Sequence, residues 1–279
     1  MSRRYYQMAK TITVGNFKGG VGKSTYVELL TYILSTKYDK KILVIDSDPQ
    51  ADVTEKLKRT FHKEEMEPKT ELLQSIKNAV DSNFEKTIED AIITIHDNVD
   101  LLHGSWELEQ FDTYVVEELK DKKARYYLFY TLLKDIKEKY DYVIFDTRPS
   151  TGITTTNAIC CSDYMIITTQ TEEASANSTR KIYNYVGSML QYNENIELIG
   201  ILPYLIDPNG STVEQVEAEL RAEFEEDVYE HIIRRSKRVI AWGKYGITEH
   251  LPYDKKTLHM YENAVKETLE RIEKIESEE

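Results

Sequence analysis

Lys18-Gly19-Gly20-Val21-Gly22-Lys23-Ser24-Thr25 decides how this chain is read. The β-branched run Thr11-Ile12-Thr13-Val14 precedes it, and apolar residues at helical spacing, Val27, Leu29, Leu30 and Ile33, follow it. A strand, a glycine-rich turn and a helix in that order form the frame of a phosphate-binding loop. Glycine carries no Cβ, so the backbone can wrap closely around an anion. Successive N–H groups then face the phosphates, and a helix starting near Ser24 adds its positive end. In such a loop Lys23 reaches the β- and γ-phosphates and the Ser24 hydroxyl is placed to hold Mg²⁺.

Two acidic strand ends belong with that loop. Lys41-Ile42-Leu43-Val44-Ile45-Asp46 is a continuous apolar run closed by an acid, the pattern of a buried parallel strand. Ser47-Asp48-Pro49-Gln50 follows, and Pro49 stops the strand, so Asp46 and Asp48 both lie at its carboxyl end. Ligands bind at that edge of open α/β sheets. Tyr140-Asp141-Tyr142-Val143-Ile144-Phe145-Asp146 repeats the pattern as a Walker B strand, whose carboxylate orders a water on Mg²⁺ or binds the metal directly.

Further strands are predicted near residues 11–15, 99–104, 163–169, 196–202 and 229–233. Residues 55–98 read as polar and helical, with no chemistry. Residues 106–140 read as one amphipathic helical stretch in which Tyr126, Tyr127, Phe129 and Tyr130 serve packing. Helices are also predicted over 151–161, from Gln170-Thr171-Glu172-Glu173-Ala174 onward, over 212–224, and from His259 to the end. Strands alternating with helices predict an α/β fold, a mostly parallel twisted sheet with helices on both faces. One domain is expected over residues 1–279, with a short tail at 1–9 and an acidic tail at 270–279.

Composition narrows the function classes. The 279 residues are 41% hydrophobic and 30% charged, ordinary for a soluble protein. Apolar runs of about four to six residues fall far short of the roughly 20 that span a bilayer. The basic start lacks the apolar core of a secretory signal, so a cytoplasmic location is expected. The cysteines, Cys160 and Cys161, are adjacent and lie in an apolar run, which reads as two small buried hydrophobes and argues against an iron–sulfur ATPase. His103, at a strand end, reads as structural. The net charge of −13 does not advertise nucleic-acid binding, so any DNA contact must come from a local patch. Arg234-Arg235-Ser236-Lys237-Arg238 is the densest basic cluster, with four positive charges in five residues.

The phosphate loop departs from G-x-x-x-x-G-K-[ST]: Phe17 stands at the first glycine, and Lys18 follows it. The form K-G-G-x-G-K-[ST] resembles the deviant Walker A loop of the ParA/MinD group of P-loop ATPases. With Ile45-Asp46-Ser47-Asp48-Pro49-Gln50 and Phe145-Asp146-Thr147-Arg148-Pro149-Ser150, the chain resembles the ParA family of DNA-partitioning ATPases, of the short type without an N-terminal helix-turn-helix domain. The likeness covers most of the chain but not residues 55–110. It implies a weak, Mg²⁺-dependent ATPase whose two subunits sandwich two ATP molecules. Lys23 would bind the phosphates of its own subunit, Lys18 those of the partner, and Thr25 would add a hydroxyl. The loop residues Lys18, Gly19, Gly20, Val21, Gly22, Lys23, Ser24 and Thr25 would surround the nucleotide. Asp48 would position the attacking water, Asp46 would support it, and Ser24 and Asp146 would handle Mg²⁺.

The resemblance also implies a homodimer when ATP is bound, binding to DNA without sequence preference, and stimulation by a ParB-like centromere-binding protein, with no membrane partner and a place on the nucleoid. Arg234, Arg235, Lys237 and Arg238 are the DNA-binding candidates. The family usually has proline where this chain has Arg148, which reads either as a tolerated surface-loop substitution or as a residue near the nucleotide or dimer face. Two rivals share the loop. A MinD-like membrane ATPase would need a basic amphipathic C-terminal helix, whereas residues 270–279 are acidic. A related tyrosine kinase would cluster tyrosines at its C-terminus, whereas none of the 20 tyrosines lies in the final 18 residues.

Overall fold

The computed structural model describes residues 9–170, 173–206 and 213–278. The expectations placed on the first eight residues, on Thr171 and Glu172, on residues 207–212 and on Glu279 lie outside the described residues.

The described strands are β1 Lys10–Gly15, β2 Ile42–Asp46, β3 Ile92–His96, β4 Val99–Leu102, β5 Tyr142–Asp146, β6 Tyr164–Thr169, β7 Glu197–Ile206 and β8 Ile233–Arg234. They form one sheet in the order β3-β4-β2-β5-β1-β6-β7-β8. Every pairing is parallel except that of β3 with β4. The helices are α1 Lys23–Lys37, α2 Asp52–Thr60, α3 Leu72–Asp81, α4 Phe111–Glu118, α5 Lys122–Tyr126, α6 Leu128–Leu133, α7 Ile153–Cys161, α8 Glu173–Met189, α9 Val213–Phe224, α10 Lys237–Tyr245 and α11 Pro252–Glu278.

Continuous apolar strands require cover on both faces, and alternate residues supply the two cores. Ile12, Val14, Ile42, Val44 and Ile144 pack with Leu30 and Ile33 of α1, Trp242 of α10, and Tyr261 and Val265 of α11. Leu43, Ile45, Val143 and Phe145 point the other way, onto Leu72 and Ile76 of α3, Phe111 of α4, Phe129 of α6 and Ala158 of α7. A third cluster joins Met165, Ile167 and Ile201 to Ile182 of α8 and Leu220 of α9. The class expected from the sequence, a mostly parallel sheet covered on both faces, is the fold observed. No described helix is long and apolar enough to cross a membrane.

Four expectations need correction. Residues 55–98 are not all helical, since β3 lies among them as an antiparallel edge strand. The stretch 106–140 is broken into short pieces. Asp121 caps a new helix there by accepting from the Ala124 amide at 2.8 Å, and Tyr130 is half exposed. Residues 229–232 do not extend β8, because the Glu230 and His231 amides donate to the Glu267 carboxylate instead of to the sheet, at 2.8 and 2.9 Å. The last helix begins at Pro252, a residue suited to the first helical position because its missing N–H is not needed there.

Candidate functional site

The loop after β1 is held by its first residue. Asn16 is buried; its Nδ2 donates to the Thr168 carbonyl at 2.7 Å, and its Oδ1 accepts from the Lys18 amide at 2.9 Å and the Ser178 hydroxyl at 2.7 Å. Phe17, where a glycine was expected, packs edge-on against Tyr185 with ring centroids 5.3 Å apart, so it anchors the loop to α8. Gly20 and Gly22 then take left-handed φ values of +74° and +89°. A Cβ on Gly22 would come within 2.1 Å of the Tyr204 ring, so only glycine fits. Gly22 is also the N-cap of α1, and its carbonyl accepts from the Tyr26 amide at 2.8 Å. The first turn of α1 therefore presents unpaired amides toward the space above the sheet. The Gln170 side chain ties down the far side of the loop, donating to the Gly20 carbonyl at 2.8 Å.

Strand register sets the acids. Asp46 is level with Asp146 across β2 and β5, and Val14 is level with Asp146 across β1 and β5. The Ser47 hydroxyl donates to the Asp146 carbonyl at 2.6 Å and staples the two strand ends. Asp46 is fully buried. Its Oδ1 accepts from the Asp48 amide at 3.1 Å, and its Oδ2 accepts from the Thr54 amide and hydroxyl at 3.0 and 2.8 Å. Burial and the neighbouring Asp146 charge push its pKa well up, against those hydrogen bonds. Asp46 thus braces the next loop and the start of α2 from beneath. Above it, Asp48-Pro49-Gln50-Ala51 is a tight turn with the Ala51 amide donating to the Asp48 carbonyl at 2.9 Å, and proline suits its second position. The Asp48 side chain lines the cleft half-buried, its Oδ1 accepting from the Gln50 amide at 3.0 Å.

Asp146 differs from Asp46. It is fully buried, and neither carboxylate oxygen has a hydrogen-bond partner. Burial pushes its pKa up to about 6; the Ser24 hydroxyl and the Lys23 ammonium draw it down, and Asp48 pushes it up. Burial lowers the Lys23 pKa, opposed by Asp146, Asp48 and Asp52. An uncompensated buried carboxylate is costly, and a hard cation with oxygen ligands would satisfy it. With Ser24 beside it, this donor set fits Mg²⁺.

Above these acids opens a cleft of about 500 Å³. Three groups of residues line it: Gly19, Gly20, Gly22, Lys23, Ser24 and Thr25 from the loop; Asp48, Pro49, Gln50, Asp52 and Lys56 from the end of β2 and α2; and Glu109 with Arg148, Pro149 and Ser150. Asp46, Asp146 and Val21 are buried and are not among its lining residues. Lys18 does not line the cleft of its own chain, and its carbonyl accepts from Lys23 Nζ at 3.4 Å. Sequence reasoning missed Lys56 and Glu109. Lys56 lies one turn after Asp52 on α2 and donates to the Thr25 hydroxyl at 3.1 Å; a helix starting at the ligand edge was the available signal. Nothing in the sequence pointed to Glu109.

The other predicted residues lie elsewhere. His103 is buried outside the cleft, with Nε2 at 3.4 Å from Glu67. The basic cluster lies on β8 and α10. Arg234, Arg235 and Lys237 are exposed there, whereas Arg238 is held by Asp254 at 2.5 Å. Asp254 also accepts from Thr248 and the Leu251 amide, so Arg238 is part of the helix junction and its charge is already matched.

A protein-family model described as an AAA domain matches residues 9–198. The sporulation initiation inhibitor protein Soj of Bacillus subtilis is 28% identical over 245 residues, covering 86% of this chain and 89% of that protein. The chromosome-partitioning ATPase Soj of Thermus thermophilus is 26% identical over 273 residues, covering 95% and 97%. A solved structure of a Cyanothece McdA variant in complex with ATP superposes with a TM-score of 0.78 at 23% identity, covering 94% of this chain and 97% of that one. By the family model and these relatives, the chain belongs to the ParA family of partition ATPases.

Proposed function

We propose that this protein is an ATP-dependent partition protein: a weak ATPase that pairs with a second copy around two ATP molecules, binds DNA without sequence preference, and is stimulated by a ParB-like centromere-binding protein. One observation carries the ATP reading. A single cleft brings Lys23, Ser24 and Asp48 together over Asp146, a buried carboxylate with two unsatisfied oxygens. Phosphoryl transfer needs positioning and charge neutralisation more than covalent help. The amides at the start of α1 bind the phosphates, and Lys23 spans their β–γ end. Asp48, in the lining of the cleft, orients a water on the terminal phosphate. Ser24 and Asp146 hold Mg²⁺, which spreads the charge of the transferring group. The ATP-bound McdA neighbour supports the choice of nucleotide.

Lys18, outside its own cleft, reaches the ATP of the partner subunit and makes the triphosphate part of the dimer interface. Arg234, Arg235 and Lys237 form the DNA face, and pairing doubles it. Each phosphate contact contributes about 0.9 to the slope of log affinity against log salt, so three cations on each of two subunits give a slope near −5. Binding of random-sequence duplex DNA, measured across a salt series with ATP–Mg²⁺, ADP–Mg²⁺ or no nucleotide, tests the reading. Salt-sensitive binding seen only with ATP is expected. Equal binding in all three states, or none in any, would overturn it and leave a nucleotide-switched protein with another cargo.

A further inference from the structure

Arg148 stands where the family usually has proline, and the structure places it in the lining of the cleft. Its guanidinium lies 3.7 Å from the Glu109 carboxylate; the Arg148 side chain is 24% exposed and that of Glu109 41%. A partly exposed pair at that separation is weak and open to exchange. The same cleft is lined by Asp48 and Asp52, acids whose charges act on Lys23. Lys23 marks the β–γ end of a bound nucleotide, and Arg148 lines the same cleft.

The backbone under the pair is firmly held. The Arg148 carbonyl accepts from the Ser150 amide at 2.8 Å. Asp112, three residues beyond Glu109, accepts from the Ile153 and Thr154 amides at 3.1 and 3.0 Å and from the Thr154 hydroxyl at 2.6 Å. Glu109 and Arg148 therefore share one frame, and a change of partner requires only side-chain rotation. Three acids of the cleft, Asp48, Asp52 and Glu109, face three cations, Lys23, Lys56 and Arg148. A triphosphate adds negative charge at the place where Arg148 is already half engaged, and a planar guanidinium suits phosphate oxygens better than a single distant carboxylate.

Resting on the ATP reading above, we infer that Arg148 is a ligand for the terminal phosphate held in reserve by Glu109. The exchange between the two partners makes the cleft distinguish a nucleoside triphosphate from a diphosphate. Without a γ-phosphate Arg148 stays with Glu109; with one it leaves. The test is titration of the full chain with a non-hydrolysable ATP analogue and with ADP, both with Mg²⁺, for the unaltered protein, Arg148→Ala and Glu109→Gln. Arg148→Ala is expected to lower the triphosphate-over-diphosphate preference about tenfold, the size of one charge-assisted hydrogen bond. Glu109→Gln, which removes the competitor, is expected to raise that preference. An equal loss of both nucleotides in Arg148→Ala, or an unchanged preference in both variants, would overturn the inference while leaving the ATP site intact. Unaltered protein that binds neither nucleotide would overturn the ATP reading itself.

Discussion

Asp146 shows at the scale of one residue how this site is paid for. A carboxylate with no hydrogen-bond partner, buried beneath a phosphate loop, destabilises the empty protein. Its pKa is raised from the usual carboxylate range to about 6. The folded chain therefore holds a proton that the unfolded chain releases at lower pH. The stability associated with that proton is complete below about pH 4 and is lost as pH rises through about 6. Asp146→Asn removes the charge and keeps the shape. Without nucleotide or Mg²⁺ at pH 7 the variant is expected to melt a few degrees above the unaltered protein, and the difference should shrink toward pH 4. Thermal unfolding at the two pH values checks this; a variant less stable at pH 7 would show that the carboxylate is compensated. Asp46, equally buried, has its carboxylate bonded by the Thr54 amide and hydroxyl and the Asp48 amide, yet burial and Asp146 still push its pKa well up, in the same direction.

Among the elements, the phosphate loop and β7 depend on each other. Tyr204 of β7 fills the space beside Gly22, and its hydroxyl pairs with that of Tyr261 on α11 at 2.7 Å. Gly22→Ala would place a methyl group against a ring that cannot withdraw, at a φ that alanine resists. ATP affinity is expected to fall by more than about tenfold for a stability loss of roughly 1–3 kcal/mol. Equilibrium binding and denaturant unfolding measured together check this, and unchanged ATP affinity would refute the packing argument. The sequence made some elements legible and hid others for physical reasons. β2 and β5 are buried on both faces, so their apolar runs are continuous. β3 is an edge strand of mixed burial, with Thr94 exposed between buried Ile93 and Ile95, and its five residues are lost in a polar stretch. The helices between residues 111 and 133 share one apolar periodicity, but Asp121 starts a new helix within it, and the Asn157 side chain accepts from the Phe129 amide at the next break. Those partners are distant in sequence and carry no local signal.

Across the whole molecule, the sheet order places β1, β2 and β5 side by side, and most of the residues proposed to hold a nucleotide come from their carboxyl ends. That part of the site was readable, because the loop and both acidic strand ends are contiguous motifs. Glu109 and Lys56 were not, since the cleft gathers them from segments without such a motif. The basic face was readable as a run of charge, yet the run could not show that Asp254 takes Arg238 out of it. Three exposed cations at β8 and α10 remain, apart from the cleft, and ATP is proposed to join the two regions by pairing subunits. Everything in that account rests on turnover in the cleft. The most direct measurement is phosphate release from ATP by the full chain and by Asp48→Ala, with and without Mg²⁺, at matched ATP occupancy. Slow turnover that requires Mg²⁺ and falls about a hundredfold in Asp48→Ala, with ATP still bound, is the predicted result. Equal turnover by the two proteins, or turnover indifferent to Mg²⁺, would contradict it.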